Sequence, residues 1–146
     1  MNFLNLIYII VFCLIYWITR VKIIKNSFFL KKKISASSFR KIRENYEGYV
    51  MCIEEDFLKE EVEMMRSIFE FIEVDKKCIL LDLTINSRKE LNFELIKDIG
   101  IQTIPSIIKI DQEGIKEVAN FSDFPVHFTN KQIISEIKKL LNRDDI

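Results

Sequence analysis

The stretch Ile99–Gly114, "IGIQTIPSIIKIDQEG", decides how the second half of this chain folds. Gly100 is predicted to end a helix, because glycine readily adopts the left-handed conformation that closes helices. Pro105 then enters the aliphatic run "SIIKID", and "QEG" supplies a turn before a second strand-like run, "IKEVANF". The pattern predicts a helix end, a strand that begins after a proline, and an antiparallel hairpin.

Strands and helices alternate before and after this stretch. "KKIS" predicts a short edge strand, and "YVMCIEE" and "CILLDLTI" have the continuous apolar middle of buried parallel strands. The predicted helix starts are Ser37 or Ser38, Asp56, a capping box of Ser87 with Glu90, and a second capping box of Thr129 with Gln132. The order β-α-β-α-β-α-β-β-α predicts an α/β domain with a mixed sheet and helices on both faces.

The amino terminus is apolar. Residues 3–19, "FLNLIYIIVFCLIYWIT", carry no charge and would span roughly 25 Å as a helix, slightly less than the roughly 30 Å hydrocarbon core of a bilayer. Arg20 and Lys22 can snorkel, so residues 1–24 are predicted to form one transmembrane anchor. A cleaved signal peptide would carry basic residues before the run and a small-residue cleavage site soon after it, and neither is present. A buried core helix would have an apolar stripe rather than an all-round apolar surface.

Basic residues follow this anchor closely. Lys and Arg total 22, as do Asp and Glu, so the net charge is zero and no nucleic-acid partner is predicted. Nine of the basic residues lie between Arg20 and Arg43, where there is no acid. Residues 25–33 are predicted to be a basic juxtamembrane linker, and the positive-inside tendency places the amino terminus outside and the domain in the cytoplasm. The residues predicted to contact anionic headgroups are Arg20, Lys22, Lys25, Lys31, Lys32 and Lys33.

Two stretches carry a resemblance to the thioredoxin family. "ISASSFRKIRENYEGYVMCIEED" resembles its first strand, first helix and central strand, and "IGIQTIPSIIKIDQEGIKEV" resembles its helix end, proline, hairpin and final strand. The resemblance covers about residues 32–142 and implies a thioredoxin-like three-layer α/β/α domain over residues 34–146. It also implies a cis bond before Pro105, with the backbone of Ile104 beside a groove where an extended peptide can pair.

The family's reactive Cys-x-x-Cys is absent. It stands at the start of the helix after the central strand, where unpaired N–H groups stabilise a thiolate. The equivalent residues here are "FLKE", Phe57–Glu60, or "LKEE", Leu58–Glu61, and neither contains cysteine. Dithiol exchange needs two thiols, so we predict no catalytic residue, metal or cofactor. The resemblance implies a groove formed by Thr103, Ile104, Pro105, Phe57, Leu58 and Glu60, with Phe57 and Glu60 at the degenerate motif.

Three other features leave alternatives open. Cys52 could act alone in a thiol oxidoreductase, although a buried strand thiol has a raised pKa, and Cys52 and Cys78 should lie at opposite ends of adjacent strands, which disfavours a disulfide. The acids Glu54, Glu55, Asp56, Glu60, Glu61 and Glu63 suit a helix N-terminus, or bind a cation or a basic peptide. Phe121, Phe124 and Phe128 either pack over the sheet or form an exposed aromatic edge, and His127 is predicted to be a surface-loop residue.

These observations predict a membrane-tethered, redox-inactive protein that works by binding a peptide or protein. Small membrane-anchored thioredoxin-like proteins accompany exporters of bacteriocins and other peptides in Gram-positive bacteria, and this chain resembles a degenerate member of that group. One alternative is an enzyme that uses Cys52. Another is that the apolar helix is the functional part and associates with a multispanning protein.

Overall fold

The computed structural model describes residues 2–85 and 90–144. The chain divides into two compact units, the first ending at Lys31 and the second beginning at Lys32. The first unit is one helix, and the second contains a sheet with helices packed on it.

Helix α1, Phe3–Leu30, makes up almost all of the first unit. Its most apolar window has a mean hydropathy of 2.0 and is not buried, so the helix is long and apolar enough to cross a membrane. Near the end of the apolar run, the guanidinium Nη1 of Arg20 donates a hydrogen bond of 3.0 Å to the hydroxyl of Tyr16. The helix continues through residues 25–30, which form the first part of the predicted linker.

The second unit contains the remaining elements. Its helices are α2 (Ala36–Ile42), α3 (Glu55–Glu60), α4 (Val62–Glu73), α5 (Phe93–Ile99) and α6 (Asn130–Asp144). Its strands are β1 (Lys33–Ser35), β2 (Gly48–Ile53), β3 (Cys78–Asp82), β4 (Thr84–Ile85), β5 (Glu90–Leu91), β6 (Ser106–Asp111) and β7 (Gly114–Asn120). Short 3-10 turns cover Arg43–Asn45 and Phe121–Asp123.

Five strands form one mixed sheet in the order β1-β3-β2-β6-β7. The strands β1, β3 and β2 run parallel, whereas β6 is antiparallel to both β2 and β7. This confirms the predicted mixed sheet and the hairpin after Pro105. The strands β4 and β5 form a separate two-stranded sheet, which the sequence pattern did not predict.

Alternate residues of β2 face opposite sides of the sheet, because successive strand side chains point in opposite directions. Val50 and Cys52 belong to one buried cluster with Phe39 of α2 and Leu95 of α5. Tyr49 faces the other side, where its hydroxyl donates to the carboxylate of Asp144 in α6 at 2.8 Å. Helical side chains therefore pack against both faces of the sheet.

Two helix starts differ from the predictions. Strand β2 ends at Ile53, so α3 begins at Glu55 with Glu54 at its N-cap, and the prediction that Asp56 caps this helix was wrong. The α2 cap is Ser35, whose Oγ accepts from the N–H of Ser38 at 3.3 Å, rather than Ser37 or Ser38. In both cases the helix cap lies two or three residues earlier than the sequence pattern indicated.

The two predicted capping boxes have opposite outcomes. Ser87 lies outside the described residues, and Glu90 belongs to β5, so the box does not open α5. Asn92 caps α5 instead, accepting from the N–H of Leu95 at 3.1 Å. The second box is confirmed, because the N–H of Thr129 donates to Gln132 Oε1 at 2.7 Å and the N–H of Gln132 donates to Thr129 Oγ1 at 3.3 Å.

Candidate functional site

The candidate site lies at the carboxyl end of the parallel strands, which is where open α/β sheets commonly bind ligands. The loop between α5 and β6 arrives there, because the register places Ser106 opposite Cys52, next to the last residue of β2. Gly100 closes α5 in the left-handed conformation, with φ of 81°. The peptide bond between Ile104 and Pro105 is cis, as predicted.

Hydrogen bonds to Asn120 hold this loop in place. The buried Asn120 Oδ1 accepts from the hydroxyl of Thr103 at 2.7 Å and from the N–H and Oγ of Ser122 at 3.0 and 2.7 Å. One residue later, the N–H of Phe121 donates to the carbonyl of Pro105 at 3.1 Å. The loop is therefore fixed to the end of β7 by both its side chains and its backbone.

Ile104 precedes the cis bond, and its backbone is available, as is that of the neighbouring Gln102 and Thr103 within the described residues. Within the described part of the chain, neither the N–H nor the carbonyl of Ile104 makes a backbone hydrogen bond. Its side chain is half-buried and packs against the cluster formed by α2, α5 and the sheet. Thr103 is exposed and Pro105 is buried, so the loop passes from the surface into the domain at Ile104.

Four phenylalanines continue the site along the surface, and we call them the aromatic row: Phe57, Phe121, Phe124 and Phe128. Successive ring centroids are 6.1, 6.3 and 6.4 Å apart, the first two pairs edge-to-face and the third stacked. All four rings are half-buried. The sequence left open whether these rings pack or form an exposed aromatic edge. In the structure the rings pack on one another and still present an aromatic surface.

The loop between Phe124 and Phe128 is open to solvent. Val126 is fully exposed, and His127 is exposed with its ring edge-to-face against Phe128 at 5.4 Å. His127 occupies a surface loop, as predicted.

The residues predicted at the Cys-x-x-Cys position, Phe57–Glu60, begin two residues farther into α3 than the sequence predicted. Since α3 begins at Glu55, Phe57 is its third residue and Glu60 its last. Leu58 is only 1% exposed and belongs to the core, so the structure does not place it in the groove. Phe57 joins the site through Phe121, and Glu60 is exposed at the end of α3, one helical turn after Phe57.

Glu55 is the acid that is most engaged at the start of α3. Its N–H donates to Thr84 Oγ1 at 2.9 Å, which satisfies a first-turn donor. Its Oε1 lies 3.0 Å from Lys59 Nζ and 3.8 Å from Lys33 Nζ. The hydrogen bond from Lys59 to this carboxylate raises the pKa of the lysine. Lys59 is therefore committed to Glu55.

Cys52 and Cys78 are both free thiols on neighbouring strands. Cys52 is completely buried, and burial raises the pKa of its thiol to about 12. Burial also raises the pKa of Cys78 above its ordinary value. The register places Cys78 opposite Tyr49 and Cys52 opposite Leu81, so the two cysteines are offset by three residues, or about 10 Å along the strands. Both are protonated at neutral pH and too far apart for a disulfide.

No family model, curated protein or solved structure matches the chain.

The sequence reading missed the role of Asn120 and the contact between Phe57 and Phe121. Phe57 and Phe121 are distant along the chain and meet because β7 ends next to the start of α3. The spacing of Phe121, Phe124 and Phe128 was visible in the sequence, but it does not show which ring meets Phe57. A polar residue at the end of a strand was the one local signal for Asn120.

Proposed function

We propose that this protein is a membrane-tethered, thioredoxin-like binding protein that has lost dithiol chemistry and that holds an extended peptide or protein segment beside Ile104. The order of strands and helices in the second unit, together with the loop that leads into Pro105, supports the thioredoxin-like three-layer arrangement. The resemblance seen in the sequence also suggests a setting, as an accessory factor for the export of bacteriocins or other peptides.

The observation that carries the proposal is the available backbone of Ile104 beside the aromatic row. An extended segment can pair with the N–H and carbonyl of Ile104 as an added strand, since strand addition gains affinity from main-chain hydrogen bonds. Its side chains would then meet Phe57 and Phe121. The hydrogen bonds to Asn120 keep the loop ordered before binding, which lowers the entropic cost of association.

The same geometry argues against thiol exchange at this site. The sulfur nearest the loop is that of Cys52, which has no exposed surface and a pKa of about 12. The attacking species in thiol exchange is the thiolate, and at pH 7 only about one molecule in 100,000 would carry it at that pKa. Binding without bond formation is therefore the activity that the site supports best.

Hydrogen exchange can test peptide binding directly. The full chain in phosphatidylcholine nanodiscs is screened against an array of synthetic ten-residue peptides, and bound peptides are then added in deuterated buffer. We expect slower exchange at the amides of residues 102–104, with no change at the hairpin turn near Gly114, which serves as the internal control. Each peptide should bind more weakly after N-methylation of the amides that pair with Ile104. The proposal would be refuted if no peptide in the array bound, or if the bound peptides protected only other segments.

The membrane tether is proposed from helix α1 and its basic flank. We expect the full chain to resist extraction from membranes by alkaline carbonate. The positive-inside tendency further predicts that protease added to sealed, right-side-out vesicles leaves residues 32–144 intact, while the same protease digests them in inverted vesicles. A chain that carbonate releases, or a domain digested from the outside, would contradict the tether or its orientation respectively.

A further inference from the structure

Acidic side chains border the aromatic row on two sides. Asp56 precedes Phe57, and Glu60 lies one helical turn beyond it in α3. Asp123 lies between Phe121 and Phe124 in the 3-10 turn. All three carboxylates are exposed, and they neighbour ring-bearing residues along two separate segments of the chain.

These three carboxylates make no direct contact with a basic side chain in the described residues, although the charge of Asp56 contributes to the raised pKa of the nearby Lys59. Among residues 2–85 and 90–144, none of them makes an ion pair or a side-chain hydrogen bond. The neighbouring acids differ, because Glu55 is bonded to Lys59 and Glu61 accepts a hydrogen bond of 2.7 Å from Asn130. No group of three potential metal ligands converges in the described part of the chain, so the acids form a distributed negative surface rather than a metal site.

The cation–aromatic contacts of the described residues do not involve the aromatic row. Elsewhere in the domain lysines lie over aromatic rings: Lys138 Nζ is 5.1 Å from the ring centre of Phe71 and Lys109 Nζ is 5.7 Å from that of Tyr49. No described lysine or arginine occupies such a position over the aromatic row. Aromatic faces attract cations, so rings and carboxylates favour the same kind of ligand.

We propose that the segment bound at this site is a cationic peptide that also carries aromatic or large aliphatic side chains. This inference rests on the proposed function and adds the chemistry of the partner to it. The lysines or arginines of the peptide would face Asp56, Glu60 and Asp123, while its apolar side chains would cover the rings of Phe57 and Phe121. Complementary charge also speeds association and discriminates against acidic segments.

Three matched peptides test this chemistry against the full chain in zwitterionic phosphatidylcholine nanodiscs, which do not attract cations through net charge. The first is a ten-residue peptide with lysines and phenylalanines in a glycine and serine background. In the second, glutamate replaces each lysine, and in the third, serine replaces each phenylalanine. We expect the lysine–phenylalanine peptide to bind at least about tenfold more tightly than either of the others, and its affinity to fall as salt rises from about 0.05 to 0.5 M.

A charge variant and a matched control locate the effect. The variant Asp56→Asn/Glu60→Gln/Asp123→Asn should weaken binding of the lysine–phenylalanine peptide about 10- to 30-fold, or about threefold per exposed charge. The control Glu47→Gln/Asp75→Asn/Glu113→Gln removes the same net charge from exposed positions. Glu47 and Glu113 lie at the opposite end of the sheet, where Gly48 pairs with Ile110. The control should change the affinity less than twofold.

The outcomes separate this inference from the proposed function. Equal binding of the lysine and glutamate peptides, or equal losses in the variant and the control, would overturn the cationic preference. If the lysine and glutamate peptides still protect residues 102–104 from exchange, the proposed function stands without the cationic preference. If no peptide in the array protects these residues, both proposals fail.

Discussion

The carboxylate of Asp144 joins the end of α6 to the middle of the sheet. Its Oδ2 accepts from the hydroxyl of Tyr49 at 2.8 Å and lies 3.0 Å from Lys109 Nζ, while its Oδ1 lies 2.8 Å from Lys116 Nζ. The side chain is only 5% exposed. Replacing Asp144 with asparagine keeps the shape and removes the charge, so Asp144→Asn tests whether this charge holds α6 on the sheet.

The expected loss follows from the proton equilibrium of Asp144. Burial favours the neutral form, but hydrogen bonds from Lys116, Tyr49 and Lys109 outweigh burial and lower the pKa from 3.8 to about 2. At about 1.4 kcal/mol per pKa unit, this corresponds to about 2.5 kcal/mol in favour of the charged form. The Lys116 side chain is 70% exposed, so solvent screens part of the attraction, and we expect Asp144→Asn to cost about 1–2 kcal/mol.

The loss should depend on pH in a defined direction. Because the folded-state pKa lies below the unfolded one, the contribution of the carboxylate is fully present above about pH 4 and disappears as the pH falls through about 2. The free energy of unfolding is measured by pulse proteolysis in urea, on the full chain in non-ionic detergent micelles. The difference between wild type and Asp144→Asn should be constant from pH 7 to 5 and should shrink between pH 4 and 2.5.

Glu136→Gln is the matched control in the same helix. Glu136 Oε1 lies 2.8 Å from Lys139 Nζ in an exposed pair, which should contribute at most about 0.5 kcal/mol. Equal losses in the two variants would refute the reasoning. A loss in Asp144→Asn that stays the same down to pH 2.5 would also refute it, because the charge could not then be the cause.

Three further variants and one chemical modification extend these tests. Gly100→Ala adds a methyl group at φ of 81°, and apart from adjacent backbone no atom lies within 4 Å of it. The loss of stability is therefore conformational, and we expect about 1 kcal/mol in urea unfolding. Thr129→Ala removes one half of a capping box and should cost about 1 kcal/mol in the same assay. Asn120→Ala frees the loop before Pro105 and should weaken peptide binding about tenfold in a titration. Iodoacetamide at pH 7.5 should label Cys52 and Cys78 slowly in the native chain and rapidly in urea, and rapid native labelling of Cys52 would revive the enzymatic alternative.

The elements that the sequence predicted well carry strong local signals. The hairpin after Pro105 joins two apolar runs through a turn with glycine, and the Thr129–Gln132 box combines two side chains of the right type at the right spacing. The start of α3 was misplaced because "EED" after "YVMCI" fits a strand end and a helix start equally well. Tertiary contact decides between them, since Thr84 satisfies the N–H of Glu55 from a separate segment.

The candidate site was predicted in part for the same reason. Pro105 marks its position within one segment, so the loop could be predicted from the sequence, whereas the cis bond was predicted from the resemblance alone. Leu58 was expected in the groove because it stands near a family motif, yet its side chain points into the core. The helix cap lies two residues earlier than predicted, and because each residue turns a helix by about 100°, an error of this size is enough to exchange a surface position for a core position.

The stabilising cluster at Asp144 and the binding site should respond independently to mutation. Lys109 lies three residues after Ser106 along β6, which separates the two regions by about 10 Å along the strand. Changes at sites this far apart with no shared partner generally add. Asp144→Asn should therefore lower the unfolding free energy while leaving peptide affinity within twofold at temperatures where the chain is folded. Asp56→Asn should instead weaken peptide binding and leave the unfolding free energy nearly unchanged, since Asp56 is exposed.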